Sequence, residues 1–226
     1  MSTSRSTLFE SSVKQRLVLT AERLFGTRGL DGVALRHIGL EAGMANRSAV
    51  QYHFGNKSTL VEAILVNRLD ALTRRRQLLL GRAPSTDVRR VVEAQLLPWI
   101  ELAEDRDCYY MPFLEELLRS GIPLTMLPAD HLETERAYYE RLGGLIEFVP
   151  QPLRDIRINQ ASLVCLHACA DRHRTHVARG AIPAYGVHVS QLLDALVAMV
   201  TTEPSAETIA AISASATASP AIGGLP

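Results

Sequence analysis

Apolar residues recur at helical spacing along most of the chain, and no stretch of strict alternation stands out as a strand. Val13, Leu17, Ala21, Leu24 and Phe25 share a face before Gly29, which predicts a first helix over about 12–28. Ser12 and Gln15 open it as a capping box and the glycine closes it, while polar residues 1–11 read as disordered. Leu35, Ile38 and Leu40 mark a short amphipathic helix over 34–42 that breaks at Gly43. A second short helix over 47–54 puts Val50 and Phe54 on one face and polar residues on the other. Lys57-Ser58 then opens a longer helix through Leu60, Ile64, Leu65, Leu69 and Leu72 towards Leu80.

Beyond the break at Gly81–Ser85, further helices are predicted over 86–104, with Pro98 as a kink, and over 108–120, 129–147, 153–179 and 185–202. The run from 204 to 226, rich in Ala, Ser, Thr, Pro and Gly, reads as a disordered tail. The pattern therefore predicts an all-α fold of about nine helices. A three-helix N-terminal helix-turn-helix domain is expected over 12–60, and a C-terminal helical domain over 61–203.

Two short helices joined by a glycine-containing turn are what a helix-turn-helix needs. The first braces across the DNA backbone and the second offers its polar face to the major groove. Charge sharpens this assignment. The whole chain is neutral, but residues 1–60 carry eight Lys and Arg against four Asp and Glu, and the rest carry sixteen against twenty. A basic end on an acidic body draws that end towards polyanions. Arg47, Ser48 and Gln51 fall where side chains of the second helix reach base edges. Arg47 suits guanine and Gln51 adenine, each with about 1–3 kcal/mol of discrimination.

Gly29, Arg36-x-Ile38, Glu41-Ala42-Gly43 and Tyr52-His53-Phe54-Gly55-Asn56-Lys57 occur in an order that resembles the tetracycline-repressor (TetR) family over about 12–62. The resemblance implies a homodimeric, all-α, ligand-responsive transcription regulator, usually a repressor of a double-stranded DNA operator. It also implies that Arg36 points into the groove from the preceding helix, and that Asn46, Arg47 and Ser48 approach the bases. Tyr52, His53 and Lys57 look like phosphate contacts, with packing as the alternative for His53. Two departures stand out. Val33-Ala34 replaces a Ser or Thr cap, a change that costs about 1 kcal/mol, and the turn after Gly43 is one residue longer than the common spacing.

In the body, Trp99, Tyr109, Tyr110, Phe113, Tyr138 and Tyr139 are gathered with Met111 and Phe148. Such a group suits a pocket for an apolar or planar effector of unknown identity, with His131 fixing orientation, or else an ordinary core. Stripes on the last two helices (Ile156, Leu163, Val164, Leu166, Ala170; then Val189, Leu192, Leu193, Leu196, Val197, Val200) suit pairing with a second copy, or again core. Because one recognition helix reads few base pairs, a two-fold dimer on a near-palindrome is expected.

Cys165, His167, Cys169, His173 and His176 invite a metal- or thiol-responsive alternative, although their spacing matches no zinc motif. No cofactor or metal is called for. The N-terminal residues lack an apolar leader and no apolar run of about 18 residues follows, so a cytoplasmic protein with reduced thiols and no membrane partner is expected. No catalytic motif is present, and Glu115-Glu116 and Glu133/Glu135 read as solvated helix faces, so no enzymatic role is expected. A helical ligand-binding or interaction module without specific DNA binding remains the alternative.

Overall fold

The computed structural model describes residues 2–46, 48–82, 86–121, 129–151 and 153–218, with side chains for all of these except 2–11, 129–131 and 215–218. Ten helices and no strand occur among the described residues. They are α1 (Ser2–Arg28), α2 (Leu35–Glu41), α3 (Ala49–Phe54), α4 (Lys57–Leu80), α5 (Val88–Leu102), α6 (Tyr110–Arg119), α7 (Ala129–Leu145), α8 (Leu153–Val177), α9 (Tyr185–Thr201) and α10 (Ala206–Ala218).

The apolar periodicity located nine of these, eight of them to within a few residues at both ends, and missed helix where no apolar stripe runs. Backbone 2–11, expected to be disordered, continues α1, so Ser12 lies inside the helix and does not cap it. Residues 206–218 of the expected tail form α10. Its composition explains this: alanine has the highest helix propensity, and Ser205 Oγ accepts from Thr208 N at 3.3 Å at the start. Residues 219–226 of that tail lie outside the described residues.

One hydrophobic core runs without a break from the N-terminal module into the body. It passes from Leu17, Leu24 and Phe25 through Leu60, Ile64 and Leu65 to Leu96, Ile100, Met111 and Phe113, and on to Ile146, Ile158 and Leu196. Helix α5 sits at its centre, in contact with α4, α7, α8 and α9, while α6 lies between α1 and α8. Buried apolar faces, rather than propensity, hold helices as short as α2 and α3 in place.

The turn between α2 and α3 is fixed by backbone hydrogen bonds. Gly43 N donates to Leu40 O at 3.0 Å and Met44 N to Gly39 O at 2.9 Å, the paired bonds of a Schellman C-terminus, with Gly43 at φ +68°. At the other end of α2, Ala34 supplies no side-chain cap, as its sequence predicts. At the C-terminal end of α2, Glu41 pairs with Arg23 at 3.1 Å and Arg28 at 3.7 Å, which ties α2 to α1. The longer α4 has a proper cap, with Asn56 Oδ1 accepting from Thr59 N at 3.0 Å.

A Cβ at Gly43 would meet nothing within 4 Å. Gly43→Ala should therefore cost only the left-handed backbone conformation, about 1 kcal/mol. Chemical denaturation should show that loss with an unchanged denaturant slope.

Candidate nucleic-acid interface and ligand cavity

Helices α2 and α3 present a polar surface over an apolar underside. Ile38, Ala49 and Val50 are buried, whereas Arg36, Asn46, Ser48, Gln51 and Tyr52 are exposed. Tyr52 is 77% exposed, unusual for so large a ring, and its edge meets His53 at a centroid distance of 4.9 Å. His53 is half-buried against Tyr52 and Phe54. Asn46 Oδ1 accepts from Ser48 N at 2.9 Å, so its carboxamide oxygen shapes the turn. The second helix begins at Ala49, two residues later than expected, which moves Ser48 to the N-cap position. Arg47 lies outside the described residues.

Lys57 stands at the base of this surface. Its Nζ donates to Leu30 O at 2.8 Å and lies 5.9 Å from the Phe25 ring centroid. The ammonium has three donors, so this clasp still leaves donors for a phosphate.

The module is fastened to the body along α1. Phe25 and Phe113 stack with centroids 6.4 Å apart, and Glu116 Oε1 accepts from Leu30 N at 3.2 Å. Gly26 permits close approach, because a Cβ there would lie 3.1 Å from both Phe113 N and Pro112 Cβ. Nearby, Glu22 on α1 is 1% exposed and accepts from Arg68 of α4 at 3.3 and 3.4 Å. Burial raises the Glu22 pKa, against the opposing pull of Arg68. Burial also pushes the neighbouring Cys108 thiol up to about 11, which leaves it unreactive.

A cavity of about 250 Å³ opens between α4, α5, α6, α7 and α8. Its wall is mostly leucine (Leu65, Leu69, Leu72, Leu114, Leu118, Leu132, Leu163, Leu166) with Trp99, Tyr110 and Tyr139. Polar groups come from Arg76, Glu135, Asn159 and Ser162. Of the aromatic residues singled out in the sequence, Trp99, Tyr110 and Tyr139 line this cavity, and three companions do not. Phe113 packs against Phe25, Tyr138 is buried in the core, and the Tyr109 ring meets His173 at 4.7 Å. The side chain of His131 lies outside the described set. Arg76 was overlooked, although an arginine that follows Leu65, Leu69 and Leu72 on the same face of α4 is a readable signal.

The proposed self-association stripes need correction. Leu166, Ala170, Leu192, Leu193 and Leu196 are at most 5% exposed within one chain, because α9 packs onto α5 and α8. Val189 also packs against that core. Leu163 is 43% exposed and shares the outer side of α8 with exposed Ile156 and Val164. The cysteine–histidine stretch disperses too. Cys165 and Cys169 are buried, His167 faces Glu115 at 2.6 Å, and His173 Nε2 faces Arg106 O at 3.3 Å. No group of three candidate metal ligands occurs among the described residues.

Nor are the acidic pairs simply solvated. Glu116 holds Leu30, and Glu135 pairs with Arg76 at 2.6 Å. Glu115 binds both Arg174 and His167. Partial burial opposes ionisation of Glu115, but those two hydrogen bonds outweigh it and lower its pKa. No described helix is long and apolar enough to cross a membrane.

Residues 17–64 match the family described as bacterial regulatory proteins, tetR family. Among solved structures, one from Rhodococcus sp., provisionally assigned to the TetR-family transcriptional regulators, shares 17% identity at a TM-score of 0.46. That alignment covers 84% of this chain and 99% of the other, a likeness too loose to carry a functional inference. No curated protein matches the chain.

Arg68→Met would leave the Glu22 carboxylate buried and unpaired. Stability at neutral pH should fall by about 3 kcal/mol. Without Arg68 the folded-state pKa of Glu22 rises further above its unfolded value, so the native state holds the extra proton. The deficit should therefore shrink as pH falls towards 5, as denaturation at several pH values can measure.

Proposed function

We propose that this chain, whose residues 17–64 match the tetR family of bacterial regulatory proteins, is a DNA-binding transcriptional regulator. On that premise we propose that it binds a near-palindromic operator as a homodimer, acts as a repressor, and is released by a small molecule. The observation that carries this reading is that α4 and α6 each have one side on the cavity and another on α1. Tyr110, Leu114 and Leu118 of α6 line the cavity, while Phe113 and Glu116 of the same helix grip Phe25 and Leu30. Leu65, Leu69, Leu72 and Arg76 of α4 line it, while Arg68 and Lys57 hold Glu22 and Leu30.

A ligand that spreads these two helices acts on α1, and through it on α2 and α3. Two recognition helices must match one groove repeat of about 34–36 Å, so a small tilt of α4 weakens one or both half-sites. To switch occupancy decisively, the ligand must favour the non-binding arrangement by about 5 kcal/mol. In this reading Gln51 and Arg47 contact bases, with Arg36, Asn46 and Ser48 beside them, while Tyr52, His53 and Lys57 meet the phosphate backbone. The exposed Ile156, Leu163 and Val164 of α8 supply the apolar surface for a second copy.

The direct test is selection of bound sequences from a random DNA library near physiological salt. A two-fold symmetric site is expected, and a lone half-site would overturn the dimer. On the selected operator, Gln51→Ala should relax preference at one base pair, costing about 1–3 kcal/mol there. Lys57→Ala should weaken binding to all sequences and reduce the salt slope by about one. Thermal melts separate that effect from loss of its clasp on Leu30. Val164→Glu should shift sedimentation towards monomer and lower operator affinity without altering the melt of the monomer fold.

A further inference from the structure

The cavity wall is largely hydrocarbon, yet it contains a guanidinium. Arg76 is 1% exposed. Its Nε donates to Gln95 O at 3.1 Å, its Nη1 donates to Glu135 Oε1 at 2.6 Å, and its guanidinium carbon lies 5.7 Å from the Trp99 ring centroid. Nη2 is buried and has no hydrogen-bond partner among the described residues. A guanidinium offers five N–H donors, and a native protein seldom leaves buried ones dry without a functional reason.

The neighbouring charges narrow what could satisfy it. Gln95 Nε2 donates to both oxygens of Glu135 at 3.0 Å, so the carboxylate is held in place against Arg76. The ion pair is already neutral. A ligand carboxylate at Nη2 would put a second negative charge beside Glu135 in surroundings poor in water, which is unfavourable. An uncharged acceptor incurs no such repulsion and still satisfies the donor. We propose that the cavity takes a small apolar molecule bearing one uncharged carbonyl-type acceptor, which receives a hydrogen bond from Arg76 Nη2. The leucines and Trp99 line the space for the hydrocarbon part, and a cavity of about 250 Å³ suits a small molecule. This inference rests on the ligand-responsive reading above and assigns the chemistry of its effector.

Trp99 is the only tryptophan in the chain, so its emission reports on the cavity. The full-length protein would be titrated with three probes of matched skeleton: benzylacetone, butylbenzene and phenylbutyrate. Benzylacetone should bind about ten-fold more tightly than butylbenzene, because a hydrogen bond from a charged donor is the difference between them. Phenylbutyrate should bind more weakly than the ketone.

In the double variant Arg76→Met/Glu135→Gln, which removes the pair without stranding a charge, the ketone should fall to the hydrocarbon's affinity. Equal binding of ketone and hydrocarbon by the unaltered protein would overturn the proposal, and so would tightest binding of phenylbutyrate or no saturable emission change with any probe. None of these three outcomes depends on the variant folding. Adding benzylacetone to the protein–DNA complex separates the two readings. Arg76-dependent binding without release of DNA would uphold the ligand class and remove the regulation.

Discussion

The helix-turn-helix is held by the seam where α1 lies against α6 and α4. Two backbones approach closely there because Gly26 has no side chain to keep Phe113 and Pro112 away. Around that approach, Phe25 stacks on Phe113, and the buried Glu22 carboxylate meets Arg68. Desolvation makes the Glu22–Arg68 pair costly to bring together and costlier to break by removing one partner. It therefore contributes a fixed register more than net stability. Lys57 and Glu116 complete the seam from opposite sides, one bonding the carbonyl of Leu30 and the other its amide. A residue held at both its amide and its carbonyl leaves the start of the α1–α2 turn little freedom.

The same two helices wall the cavity, so the polar groups in the body form two layers with different purposes. At the seam each buried charge has a partner. In the cavity Arg76 is satisfied on two sides and unsatisfied on the third. Within one α4 helix, Arg68 fastens two elements together, whereas Arg76 keeps one buried donor unsatisfied.

Helical periodicity made most of the fold legible, since a face that packs on a core must be apolar at every turn. It said nothing of α10, where alanine supplies propensity without a stripe, nor of the first turns of α1. It also could not say against what a stripe packs. Leu192, Leu193 and Leu196 form a continuous apolar face, but α5 and α8 of the same chain already cover it. The helix-turn-helix was legible because turn glycines and polar residues fall at fixed offsets between two short apolar stripes. The cavity was half legible. Trp99, Tyr110 and Tyr139 were picked out by their rarity, whereas the leucines that make up most of the wall are indistinguishable from core leucines in a sequence. Phe113 and Tyr138 have the right composition but turn the wrong way, and only packing decides that. Arg76 had a signal, a charge at an apolar position, that composition alone does not weigh.

The unbroken core bears on how such a protein could be rebuilt by recombination. A seam cut after residue 60 would separate a reading head from the surfaces that complete its interior, exposing Phe25 and stranding Glu22. A portable unit would have to include α6, about fifty residues further along the chain, or a transplanted equivalent of Phe113 and Glu116. Exchange of the N-terminal module is thereby limited to bodies whose α6 fits the incoming α1, because the stacking on Phe25 and the hold on Leu30 come from that helix.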